Sequence, residues 1–249
     1  MADIDNGDDS QDAGGTADAS NSDSGADPAD AADAARDSFP DEEPDATSPC
    51  HPETPGGTPP AGTCTAAQIK TKLDACDGGT DVWNKAKTAA GKDPVVTVAT
   101  PSSGFKAESD STGAITISPQ DCCNAMQSMI HELTNVSHGP DFTRIDSDAA
   151  QGNVAREDYA KANEKIEYDG VKNTLKAFDS CKASWGCGPE AKAKFDGFRS
   201  AHNFDEYYDQ ISEDHKNFYR NYWDSPRSGG RSSYKDAYNQ KHPPAAPPH

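Results

Sequence analysis

Met126, Met129, Ile130, Leu133 and Val136 recur at intervals of three and four residues and draw one apolar stripe along a helix. Such a stripe must be covered by other elements, so it places the helix inside a folded domain. Ser118-Pro119 offers a capping hydroxyl and a first-turn proline for its start, and Gly139-Pro140 predicts a sharp end. A conflict sits at its centre, where His131 and Glu132 stand among the apolar residues. Polar groups in that position need partners that offset the loss of water.

Composition bounds the domain around this helix. Residues 1–49 contain thirteen Asp, two Glu and one Arg, which is −14 of the net −19 carried by 249 residues. Beyond Met1, only Ile4 and Phe39 are large and apolar there. That is too little surface to offset chain entropy, so a disordered acidic leader is expected, continued by a Pro/Gly linker to residue 63. The acidity belongs to the leader and says little about a substrate. The basic residues are not clustered into a nucleic-acid footprint, so no nucleic-acid partner is expected. No stretch is long and apolar enough to span a membrane. No signal peptide is visible at Met1, although Asp/Ala/Ser tracts of this kind can tether an exported domain to an anchor. Residues 224–249 end in Pro-Pro-Ala-Ala-Pro-Pro-His and are expected to form a second disordered tail. A single domain over 64–223 remains, holding all three tryptophans.

Within it, Thr65 caps a helix to Cys76, Asp77-Gly78-Gly79 stops that helix, and Asp81 to Ala90 forms a second one closed by Gly91. Val95 to Val98, Gly104 to Glu108 and Ala114 to Ser118 read as strands, the last two joined by a hairpin loop over 109–113. Long helices follow over about Val154 to Phe178 and Phe204 to Trp223. The order predicts an α+β fold: a small antiparallel sheet or hairpin, then the His-Glu helix, then a mainly helical C-terminal half. The seven cysteines contain no Cys-x-x-Cys pair, lean toward an oxidising compartment, and leave at least one thiol unpaired within the chain. Cys181 and Cys187 bracket a short segment and Cys64 and Cys76 flank the first helix, but the pairing stays open.

A His-Glu pair on such a helix suits a zinc hydrolase. His131 would bind the ion, and Glu132, about 100° further round, would take a proton from metal-bound water. In the usual His-Glu-x-x-His spacing the second ligand stands four residues on, and here that residue is Asn135. His138 is the nearest substitute, if the last turn unwinds at Gly139. Asn135 would then bind substrate or orient a ligand. A third ligand is expected from Glu164-Lys165-Ile166-Glu167-Tyr168, with Glu167 favoured over Glu164 and Tyr168 available to substrate. Each has a plain alternative. His131 could be a hydrogen-bonded core residue, His138 a helix-terminal cation, and the two glutamates a solvated face near Lys161 and Lys165. His202 and His215 lie among aromatics and acids, where either could donate to an oxyanion or simply pack.

The hairpin from Phe105 to Ser118, His131-Glu132 and the later Glu164 to Tyr168 together resemble a minimal zincin metallopeptidase. Ile130-His131-Glu132-Leu133-Thr134-Asn135 resembles the small metallopeptidase-like toxin and effector domains of bacterial secretion systems, covering about residues 95–180. The resemblance implies a secreted or extracytoplasmic zinc-dependent peptidase. Its metal ligands would be His131, His138 and Glu167, and its base Glu132. It also implies a protein or peptide substrate along the strand near Phe105 to Ser118, and a cognate immunity protein. A different class fits the same residues: a non-catalytic secreted binding module on a degenerate zincin-like shell, its metal lost through Asn135.

Overall fold

The computed structural model describes residues 62–101, 105–110 and 112–243, together with the pair Arg36–Asp37. The rest of the expected leader and the Pro-rich end lie outside the described residues. The fold is α+β. Helices α1 (Ala66–Asp74) and α2 (Asp77–Ala90) precede strands β2 (Val95–Val98), β3 (Ala107–Ser109) and β4 (Ala114–Ile117), with β1 (Arg36–Asp37) supplied from upstream. Then come α3 (Cys122–Ser137), α4 (Gly139–Ala150), α5 (Arg156–Trp185), α6 (Phe204–Gln210), α7 (Glu213–Asp224) and α8 (Tyr234–Lys241).

The sheet order is β1-β3-β4-β2, in which β3 and β4 form the antiparallel hairpin and β2 runs parallel to β4. Ala107 pairs with Ile117 and Ser109 with Ile115, so these four residues share one face. All four are buried, and that face covers α3. Helix α3 is the centre of the domain: every residue from Ala125 to Val136 is buried. Two apolar clusters flank it. One gathers the sheet, α1, α2, α3 and the later part of α5 around Ile69, Leu73, Ile117, Met129 and Trp185. The other gathers α4, the early part of α5, α7 and α8 around Phe142, Ile145, Tyr159, Trp223 and Tyr234.

Several boundaries differ from the sequence reading, each for a local reason. Helix α2 starts at Asp77, because Gly79 fits under the end of α1, where a Cβ would meet the Leu73 carbonyl at 2.7 Å. Ser118 belongs to the hairpin, donating its N–H to Lys106, and Asp121 caps α3 instead by accepting from the Asn124 N–H. Gly139-Pro140 ends α3 and also begins α4, since proline is tolerated in a first turn. The expected helix over 204–223 is broken at Ile211-Ser212, where the Ser212 hydroxyl caps α7 by accepting from the His215 N–H. The domain continues past Trp223: Ser233 and Asp236 form a capping box for α8, and Tyr234 is buried in the second cluster.

Three disulfides join Cys64 to Cys122, Cys76 to Cys181 and Cys123 to Cys187. None of the short loops suggested by the spacing is closed. The bridges instead span 58, 105 and 64 residues, and in the chain-entropy view each stabilises the fold by roughly 4 kcal/mol. Three such bridges indicate an oxidising location. No helix among the described residues is long and apolar enough to cross a membrane.

Six of the seven cysteines are therefore paired, and the seventh is Cys50. Alkylation of the unreduced, denatured chain should label one thiol, at Cys50. Peptide mapping that finds the label on any of the other six contradicts these bridges.

Candidate functional site

Helix α3 is buried on every side, so its polar residues must meet partners from neighbouring elements. His131 and Asn135 meet theirs in one seam with α5 and α7. His131 Nε2 lies 2.8 Å from Glu167 Oε2 on α5. Tyr219 on α7 donates its hydroxyl to Glu167 Oε1 at 2.7 Å. The Asn135 amide nitrogen donates to both oxygens of the same carboxylate, at 3.4 and 3.3 Å. Glu132 points the other way, toward the sheet, and accepts from the Ser109 hydroxyl at 2.8 Å. One turn before Glu167, Glu164 lies 2.6 Å from His215 Nδ1 on α7. Helix α5 thus presents two carboxylates, one bound to a histidine of α3 and one to a histidine of α7.

Burial makes these contacts strong and their loss costly. The His131 and Glu167 side chains are 1% and 0% exposed, and the His215 and Glu164 side chains likewise. An ionised carboxylate only accepts, so His131 carries its proton on Nε2 when Glu167 is charged. Burial pushes the Glu167 carboxyl up. The hydrogen bond and charge of His131, the charge of His215 and the Tyr219 hydroxyl outweigh it, and the group ends below the ordinary glutamate value. Glu164 goes the other way: burial raises it, His215 offsets this only in part, and neighbouring Glu167 raises it further. Burial likewise lifts the Tyr207 hydroxyl far above the ordinary tyrosine value, with Glu164 and Glu167 adding to the effect. Two carboxyls one turn apart are thereby held in opposite protonation tendencies.

The sequence-expected residues divide accordingly. His131, Asn135 and Glu167 converge on one point, and Glu132 lies beside them against Ser109. His138 does not join them. It caps the junction of α3 and α4, about a third exposed, with Nδ1 2.9 Å from Asp141 and Nε2 3.9 Å from Asp169. The last turn of α3 does not fold back, because α4 begins at once and takes the ring with it. Tyr168 faces α6, where its ring packs 5.0 Å from Tyr207 and its hydroxyl donates to the Ala201 carbonyl at 3.4 Å. His202 is exposed, and its N–H donates to Glu206. Among the described residues, no group of three or more His, Cys, Asp or Glu is arranged to hold a metal ion.

Three contributors escaped the sequence reading in the roles they take. His215 and Tyr219, one turn apart on α7, reach the two α5 carboxylates, and nothing local in the sequence links them to α5. Gly170 is the third. A Cβ there would lie 2.7 Å from His131 Nδ1 and 2.8 Å from Cε1, so the glycine makes the space the imidazole fills. A lone glycine inside a helical pattern was its only signal. The Phe195 ring lines the same imidazole, with centroids 5.0 Å apart. Comparison with protein-family models, with curated proteins and with solved structures finds no match for this chain.

The two carboxyls give opposite pH signatures. Glu167, lowered in the fold, stabilises above its unfolded value, and this is lost as pH falls through its folded value. Glu164, raised in the fold, stabilises below its unfolded value, and this is lost as pH rises through its folded value. In urea titrations across this range, Glu167→Gln should cost roughly 2–3 kcal/mol at neutral pH, with the gap to the parent closing in acid. Glu164→Gln should shift the midpoint upward at neutral pH relative to its own effect in acid. Parallel curves for all three proteins would contradict these assignments.

Gly170→Ala tests the seam by volume. Helix propensity alone would stabilise by about 1 kcal/mol. Displacement of the His131 ring should reverse that sign, visible as a lower thermal midpoint; a raised midpoint would mean the ring is not held against Gly170.

Proposed function

We propose that this chain is a non-catalytic, secreted binding module with a peptidase-like core. The observation that carries the reading is the saturation of Glu167 by protein donors: His131 at 2.8 Å, Tyr219 at 2.7 Å and the Asn135 amide at 3.3 Å. A zinc hydrolase centre needs about three protein ligands and an open position for water. Here the imidazole and carboxylate that would grip the ion grip each other. Asn135 stands where a second imidazole would complete the set, and it contributes an N–H donor rather than a strong ligand. The donor set does not fit the metal.

The same contacts have a structural purpose. Glu132, which a peptidase would use as base, is 0% exposed and bound by Ser109, so it ties α3 to the hairpin. Glu167 ties α3 to α5 and α7. A buried polar seam of this kind fixes the relative setting of helices that apolar packing alone leaves freer to slide. Three disulfides support a role outside the reducing cytosol. A rigid module with a long acidic leader is suited to contact with a partner rather than to turnover.

Elemental analysis of protein purified without chelator tests this reading. The parent chain should carry far less than one zinc per chain. Asn135→His, which restores the missing imidazole, should gain about one zinc per chain that His131→Ala removes. Stoichiometric zinc in the parent, lost in His131→Ala, would overturn the proposal in favour of a zinc-dependent peptidase.

A further inference from the structure

Strand β3 has two edges, and the hydrogen bonds on one of them identify what the other presents. Ser118 donates its N–H to the Lys106 carbonyl, and Asp110 donates its N–H to the Ala114 carbonyl. Lys106 and Asp110 therefore turn their backbone groups toward β4. In an antiparallel ladder that direction alternates residue by residue. Glu108 faces β4 with them, while Ala107 and Ser109 turn their N–H and C=O groups to the outer side. An unpaired edge of this kind is a ready template for another strand.

The chain itself supplies one. Strand β1 pairs antiparallel on that outer side, with Arg36 in register with Ser109 and Asp37 with Glu108. We propose that the outer edge of β3 is a docking site for an extended chain, and that the leader around Arg36–Asp37 is its resident occupant. The position is a consequential one. Ser109 faces the occupant through its backbone while its hydroxyl holds Glu132 at the centre of the domain. A strand on this edge is thus coupled, through one residue, to the polar seam.

Chain length permits the contact and favours it. Residues 38–63 join β1 to the domain, and fully extended they reach ~85 Å, so geometry sets no obstacle. A tether of that length holds the segment near the edge at roughly millimolar effective concentration. A free peptide must compete with that value, so modest backbone pairing suffices for the leader and not for a stray strand. The segment also stands out within the leader. It holds the only basic residue among positions 1–49, and Phe39, one of its few large apolar residues, follows within two positions. Backbone pairing of this type is a common mode of peptide capture, with main-chain bonds giving affinity. The proposal holds whether or not the His131 centre takes a metal.

Hydrogen–deuterium exchange on the full chain tests it. In the parent, the Ser109 amide should be protected by β1 and the Asp110 amide by β4. Replacing Arg36→Pro and Asp37→Pro together removes two backbone donors and fixes their φ, which disables the leader strand without touching the domain. The Ser109 amide should then exchange several-fold faster, with Asp110 unchanged. Adding a synthetic peptide of residues 32–42 to the proline variant, at millimolar concentration to match that of the tethered segment, should restore protection at Ser109, and a scrambled peptide should not. Equal Ser109 exchange in parent and proline variant would overturn the proposal. Failure of the peptide to slow exchange, or equal protection by the scrambled peptide, would overturn the assignment of this segment as occupant.

Discussion

Glu167 is the contact on which the domain is organised. An ionised carboxylate with no access to water is tolerable only where donors replace its hydration. Here the donors come from two different helices, α3 and α7, and the carboxylate itself from a third. Satisfying one group therefore fixes three elements at once. Displacing any of them leaves a buried charge short of partners, so the seam punishes misalignment in a way that apolar contacts do not.

The arrangement also explains why α5 can be as long as it is. Its early part belongs to the cluster with Tyr159 and Trp223, its later part to the cluster with Trp185 and Phe178. The two clusters are separate, and between them the helix carries Glu164 and Glu167. A helix shared by two cores could slide along its axis at modest cost. The paired histidines, one reaching in from each side, give it a register.

What was legible in the sequence followed periodicity. The stripe of Met126, Met129, Ile130, Leu133 and Val136 marked α3, and the spacing of His131, Asn135 and the later Glu167 marked three side chains that do meet. Period placed Glu164 and Glu167 on one side of their helix without choosing between them, and Glu167 is the one that meets His131. Nor could period select the partners of Glu164, because the pairing with His215 joins positions 51 residues apart. The same limit hid the disulfides, where nearest-neighbour spacing suggested short loops and the fold closes long ones. Other losses were local conflicts between signals. Gly139-Pro140 is both a stop and a start, and only the packing of Phe142 and Ile145 shows the second role. Ser212 breaks what its aromatic flanks suggest is a continuous helix. Helix α8 has tyrosines as its main apolar residues, so composition placed it with the tail although Tyr234 is buried.

Adjacent Cys122 and Cys123 open the central helix and leave in different directions, one to Cys64 near the start of the domain and one to Cys187 beyond α5. The third bridge, Cys76 to Cys181, overlaps both of these spans. Every peptide bond between Cys64 and Cys187 thus lies inside at least one covalent ring. A single cut by a protease anywhere in that stretch would leave one molecule, its halves still tethered and the helices still seated. For a domain in an oxidising location, such topology converts an otherwise fatal scission into a tolerated scar.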